Sequence, residues 1–190
     1  MTDAGRLGSA AFVAAAAILL AAASPCLSGT ISHLHVLLIG DTDDGSVGKS
    51  VQADLNNLKR TLEYGIPPFR RTITVLSGAE ATPKSVLRQV QDLTIQDKCS
   101  LFVYYSGHGV IDPELGHVFT MTHGRLSRKE LLAAMRAKKA RLRILVTDCC
   151  AVYAPVSVRR AERLREDWSI FRSLFFLHDG EVDVLSLIHI

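Results

Sequence analysis

The chain has 190 residues, of which 48% are hydrophobic, and it carries a formal net charge of +3. This length favours one domain, and so small a charge argues against a nucleic-acid partner. The four cysteines are Cys26, Cys99, Cys149 and Cys150. Two of them are adjacent, which does not fit the spacing of zinc ligands.

Residues 1–30 predict an export signal. Arg6 and the amino terminus give a weakly positive start, Ala10–Ala23 is a run of small and apolar residues, and Ala21–Ala23 offers a small-x-small cleavage site. The run is short for a membrane span. An uncleaved anchor is therefore the second interpretation, and we expect membrane association only in that case. Otherwise we expect a periplasmic or secreted protein in an oxidising compartment.

Apolar runs alternate with amphipathic segments along the rest of the chain. Strands are predicted at 35–40, 72–76, 100–105 and 142–146, with shorter extended pieces at 118–121 and 182–184. Helices are predicted over 49–63, from the Thr82-Pro83 start, from the Ser127 cap with Glu130 three residues later, and within 158–177. Strands that alternate with helices in this way predict a parallel sheet with helices on both faces.

Two of the predicted strands end on residues that suit covalent catalysis. The strand at 100–105 runs into Ser-Gly-His-Gly at 106–109, which we interpret as a turn, and the strand at 142–146 runs into Thr-Asp-Cys-Cys at 147–150. A cysteine needs a base to form a thiolate and donors for the oxyanion, so His108 is a candidate base and the backbone N–H groups of Gly109 and Cys150 are candidate donors. Spacing alone equally allows a buried structural histidine and two core cysteines.

The same residues resemble a known family. Tyr-Tyr-Ser-Gly-His-Gly at 104–109, followed by Asp-Cys-Cys at 148–150 after a hydrophobic strand, is similar to the caspase-like cysteine peptidases, above all to metacaspases and bacterial caspase domains. The resemblance covers about residues 33–184. It implies a three-layer α/β sandwich with a mostly parallel central sheet, and cysteine endopeptidase activity on protein or peptide substrates.

The resemblance also implies roles for single residues. Cys150 falls on the nucleophile, His108 on the base, and Cys149 on a variable position. Asp148 falls on a carboxylate that lines the specificity pocket in metacaspases, and Asp54 on an aspartate of the first helix, so cleavage after Arg or Lys is expected. The chemistry needs no cofactor; calcium activates some relatives, but no calcium ligands are assigned here. Ala151-Val152-Tyr153 departs from the residues that usually follow the family's cysteine.

Other interpretations remain open. Gly40 and Gly48-Lys49-Ser50 suggest a phosphate loop, but their spacing does not match the motif and aspartates lie between them. His108, His117, His123 and the cysteine pair do not have metal-ligand spacing, and the aspartates at 41–44 lack that of a calcium loop, so we interpret them as a solvated loop near the active site. A catalytically inactive caspase-like fold that acts as a binding or scaffolding module is the main alternative.

The end of the chain predicts an incomplete domain. The resemblance extends through Gly180–Asp183, where relatives continue into further sheet and pocket segments, whereas residues 185–190 do not match the family. We therefore expect a truncated peptidase domain over 33–184 with an unmatched tail. A strand at 182–184 would then form an unfinished sheet edge that favours aggregation.

Overall fold

The computed structural model describes residues 32–149 and 167–186. The predictions that concern the export signal at 1–30, Cys150 and residues 187–190 lie outside this part of the chain.

The described residues form seven strands, most of them parallel. They are β1 (Leu34–Gly40), β2 (Arg71–Ser77), β3 (Ser100–Asp112), β4 (Gly116–Met121), β5 (Gly124–Ser127), β6 (Leu142–Cys149) and β7 (Gly180–Ser186). Strands β2, β1, β3, β6 and β7 lie side by side in that order and are parallel. Beyond its pairing with β6, β3 continues into an antiparallel ladder with β4, which pairs with β5.

Helices cover both faces of this sheet. They are α1 (Gly48–Gly65), α2 (Pro83–Asp92), α3 (Arg128–Arg136) and α4 (Trp168–Phe176). Val51 and Leu55 of α1 share one buried cluster with Phe175 of α4 and with Phe102 and Tyr104 of β3. The opposite face holds a second cluster, which joins α2 and α3 to the sheet. The protein is therefore a three-layer α/β sandwich, as the sequence predicts.

Local signals in the sequence explain where two of the helices begin. The side chain of Thr82 accepts a hydrogen bond from the backbone N–H of Ser85, and Pro83 is the first residue of α2. The side chain of Ser127 accepts a hydrogen bond from the N–H of Glu130 in the same way. Both caps satisfy a donor that a helix start would otherwise leave without a partner.

The predicted turn at residues 106–109 is wrong. These residues are extended, and β3 continues through them to Asp112, where residues 108–112 pair with 116–120 of β4. Gly107 has a φ of 153°, a conformation that L side chains rarely adopt. This glycine lies where β3 leaves its pairing with β6 and continues in the antiparallel ladder.

Strand β7 pairs with β6 along its whole length and is also held by charged side chains. Arg128 of α3 forms an ion pair with Asp183, and Arg136 donates to Glu181 at 2.6 Å. Val182 and Val184 are each 43% exposed, and within the described residues β7 pairs only with β6. The predicted strand at 182–184 is thus confirmed at a sheet edge. In the described ranges, no helix is long and apolar enough to cross a membrane.

Candidate active site

His108 lies at the carboxyl edge of the parallel sheet. In the register of the three central strands, Gly40 of β1 is level with Ser106 of β3, and Ser106 is level with Asp148 of β6. His108 follows two residues later, and its side chain is 41% exposed. Open α/β sheets bind ligands at this edge, where the loops after the strands come together.

Of the two adjacent cysteines, Cys149 lies within the described residues and Cys150 does not. Cys149 is fully buried in the cluster beneath α2 and α3, and its Sγ lies 3.6 Å from Nε2 of His117. It pairs with Gly107, whereas His108 contacts the loop before α1, which packs on the opposite face. Cys149 is therefore not within the group around His108. Cys150 follows Cys149 in the chain but lies outside the described residues.

Asp54 and Asp148, the two carboxylates predicted to line a specificity pocket, are close enough to influence each other electrostatically. Asp54 of α1 accepts a hydrogen bond from Ser106 Oγ at 3.2 Å, and Asp148 accepts one from Tyr104 at 3.5 Å. Burial, and then the negative charge of Asp54, raise the pKa of Asp148. The second oxygen of Asp148 is buried without a hydrogen-bond partner. Such a pair is stabilised by a cation placed between its members.

The loop that follows β1 contributes three more aspartates, each with a different partner. Asp44 lies 3.4 Å from Nε2 of His108, and Asp43 lies 3.5 Å from Nε2 of His123. Asp41 is 1% exposed and accepts hydrogen bonds from the N–H and hydroxyl of Thr122. The expectation of a solvated loop is therefore wrong for Asp41, because Thr122 of the β4–β5 turn covers it.

Gly109, the predicted backbone donor, lies in the β3–β4 ladder opposite Phe119. The backbone before it is held by Tyr105, whose hydroxyl donates to the carbonyl of His108 at 2.8 Å. Tyr105 is fully buried, and its ring packs on Phe119 with centroids 4.5 Å apart. Burial raises the pKa of Tyr105 far above its usual range, so the hydroxyl remains a donor.

The three histidines that were considered as metal ligands each contact different residues. His108 meets Ser46 and Asp44, His123 meets Asp43, and His117 meets Cys149. Within residues 32–149 and 167–186, no group of three potential ligands is placed to hold a metal ion. Gly48, considered for a phosphate loop, has a packing role, since a Cβ there would lie 2.4 Å from the carbonyl of Thr42.

The partners of His108 were not predicted individually. Asp44 and Ser46 meet the ring from the loop after β1. A signal was present, because β1 is parallel to β3 and its following loop must start at the same sheet edge. The hairpin after β3 was also missed, although Asp112 and Pro113 are turn residues and the Asp112 side chain accepts from the N–H groups of Glu114 and Leu115.

Comparison with known proteins gives no family for this chain. No protein-family model matches it, and no curated protein matches it. Among solved structures, it is similar to a crystal structure of a protein from Geobacter sulfurreducens, with a TM-score of 0.48 and 19% identity. The match covers 63% of this chain and 50% of the other protein, so this chain spans about half of that protein's length.

Proposed function

We propose that the protein is a caspase-like cysteine endopeptidase that uses His108 and Cys150. The observation that carries this proposal is the register of the two central strands. Gly107 of β3 is opposite Cys149 of β6, and His108 and Cys150 are the residues that follow them in the sequence. Covalent catalysis needs a nucleophile and a base within hydrogen-bond reach, and neighbouring parallel strands of a rigid sheet are a way to deliver both.

The burial of Cys149 supports Cys150 as the nucleophile. A peptide carbonyl cannot reach a sulfur that is fully buried among the residues of the α2 and α3 face. His108, in contrast, is accessible to solvent. Of the adjacent thiols, the one after the strand is the better candidate for attack.

The reaction then follows from the roles of the two side chains. His108 takes the thiol proton, and Cys150 Sγ attacks the scissile carbonyl carbon. The C–N bond breaks as His108 returns the proton to the departing amine, which leaves a thioester on Cys150. A water molecule, deprotonated by His108, attacks the thioester, so that the carboxylic acid is released and the thiol is restored.

The test compares the adjacent cysteines directly. We expect Cys150→Ala and His108→Ala to abolish hydrolysis of fluorogenic peptides by the full chain under reducing conditions, while Cys149→Ala retains much of it. Circular dichroism on each variant checks the fold. Activity that survives in Cys150→Ala and is lost in folded Cys149→Ala would show that the register is wrong by one. A folded but inactive wild type would instead favour the binding or scaffolding module.

The carboxylates favour a basic side chain at the cleavage position. Asp54 and Asp148 are close enough for the charge of one to raise the pKa of the other, and an arginine can bind carboxylates through two hydrogen bonds. We expect cleavage after Arg or Lys. Asp148→Asn should lower kcat/KM for an Arg peptide by roughly 10–100-fold, the value of one charge-assisted contact.

Two results check this assignment. With wild type, KM for an Arg peptide should fall as pH rises through the raised pKa of Asp148, because the carboxyl group then becomes charged. Asp43→Asn, which changes an aspartate that is 48% exposed and beside His123, serves as the matched control. Profiling that returns acidic residues at the cleavage position would rule out the proposed specificity while leaving the dyad intact.

A further inference from the structure

His108 is held on one side by two residues of the loop after β1. Its Nε2 atom lies 3.1 Å from Ser46 Oγ and 3.4 Å from Asp44 Oδ1. Ser46 in turn donates to the same Asp44 oxygen at 2.6 Å. The three side chains therefore form one connected polar group at the sheet edge.

The single hydroxyl proton of Ser46 decides how the imidazole is protonated. Because Ser46 gives its proton to Asp44, its contact with His108 requires the histidine to be the donor. Nε2 then carries the hydrogen, and in the neutral ring Nδ1 is the nitrogen with a free lone pair. The contacts thus select one tautomer and leave Nδ1 to act as the base.

The loop itself is fixed in place. The Asp44 oxygen also accepts hydrogen bonds from the N–H groups of Ser46 and Val47 at 2.8 and 3.0 Å. These bonds, with the Ser46 hydroxyl as the largest contribution, hold the pKa of Asp44 far below its usual range. Asp44 therefore remains charged wherever a cysteine peptidase works, and it faces a ring that becomes positive during the reaction.

We propose that Asp44, assisted by Ser46, is a positioning residue that orients His108 and stabilises its protonated form during attack by Cys150. This inference rests on the proposed peptidase function. It extends the pair of reacting residues to a group of four, in which Asp44 acts through His108. Its part resembles that of the carboxylate in other nucleophile–histidine–carboxylate sites.

The variant Asp44→Asn tests the charge with little change of shape, since an amide oxygen can still accept from the N–H groups of Ser46 and Val47. Its matched control is Asp43→Asn, the neighbouring aspartate, which faces His123. The other acidic groups at this edge, namely Asp41, Asp54 and Asp148, are unchanged in both proteins. The full chain of each variant is measured in two ways.

The first measurement is kcat and KM for an Arg peptide from about pH 5 to pH 9. We expect Asp44→Asn to lower kcat by about 10–100-fold with KM within about twofold, because the charge acts on the transition state and not on substrate binding. The basic midpoint of the pH profile should fall by roughly 0.5–1 unit, since the imidazolium loses a neighbouring negative charge, whereas the acid midpoint should not rise. Asp43→Asn should match wild type in both respects.

The second measurement is the rate of Cys150 alkylation by iodoacetamide as a function of pH, followed by peptide mass spectrometry. It needs no hydrolysis, so it separates the two proposals. Wild type that alkylates but cleaves no peptide would contradict the peptidase function. Asp44→Asn would still decide the positioning role through the basic midpoint of the alkylation profile, because a fall supports the role and an unchanged midpoint contradicts it.

If Asp44→Asn leaves both kcat and the basic midpoints of the two pH profiles unchanged, the inference is overturned. A change in KM alone would overturn it as well. If Asp44→Asn does not fold, Ser46→Ala receives the same two measurements. That variant removes the Ser46 hydroxyl, which bonds both Asp44 and His108. It should lower kcat and the basic midpoint, each by less than Asp44→Asn does. Ser46→Ala with the rate and pH profile of wild type would equally contradict the proposal.

Discussion

Gly107 is the position at which we expect the smallest substitution to have the largest effect on the site. A Cβ at this residue would lie 2.7 Å from the hydroxyl oxygen of Tyr105 and 3.5 Å from Cβ of Asp41. The first distance is shorter than side chains tolerate, so one partner must move. Tyr105 cannot easily do so, since it is fully buried against Phe119 and donates to the His108 carbonyl.

Two contributions set the cost of Gly107→Ala. An alanine at a φ of 153° carries backbone strain of about 1–3 kcal/mol. Displacing the Tyr105 hydroxyl weakens a buried hydrogen bond worth about 1 kcal/mol. We therefore expect the free energy of unfolding to fall by about 2–4 kcal/mol, and activity to fall further because His108 is the next residue.

A double-mutant cycle with Tyr105→Phe tests this reasoning by urea denaturation. Tyr105→Phe removes the oxygen that the new methyl group would meet. In that background, Gly107→Ala should cost about 1 kcal/mol less than in wild type, with the remainder due to backbone strain. Additive effects of the two substitutions, or a cost below about 0.5 kcal/mol for Gly107→Ala alone, would refute the steric argument.

Two further predictions concern stability and solubility. His35 is buried with neither ring nitrogen hydrogen-bonded, and burial lowers its pKa to about 4. Its neutral form is favoured in the fold, so stability present above about pH 6.5 should decline towards pH 4, by roughly 3 kcal/mol. If the urea midpoint of His35→Leu depended on pH as steeply as that of wild type, this prediction would be contradicted. Val182→Lys places a charge on the edge strand β7 and should reduce aggregation in light scattering at nearly unchanged stability; equal aggregation would show that this edge is not responsible.

Periodicity was sufficient for most elements because their apolar residues face one helix layer or the sheet. Val51 and Leu55, spaced as on one face of a helix, are both buried on the sheet, and Thr82 and Ser127 begin their helices as predicted. These features depend on a few neighbouring residues. Local pattern therefore determines them with little help from the rest of the fold.

The errors arise where long-range contacts decide the outcome. The glycines around His108 suggest a turn, yet pairing with β4 keeps this segment extended. Asp41 is an ordinary loop aspartate by sequence, but Thr122, which is distant in the chain, buries it. The interaction of Asp44 with His108 likewise depends on the loop after β1 lying next to β3 at His108, which is distant in the sequence.

The strand order has a consequence for how the protein folds. Leu34 pairs with Ser100, Ser100 with Leu142, and Leu142 with Gly180, so the parallel sheet is built from distant segments and must close large loops. The β3–β4–β5 meander is local, and hairpins of this kind form in microseconds. His108 lies where the meander joins the parallel sheet. We therefore expect its strand to acquire hydrogen-exchange protection first on the β4 side and only later next to β6, so that the candidate site would be among the last parts of the molecule to assemble.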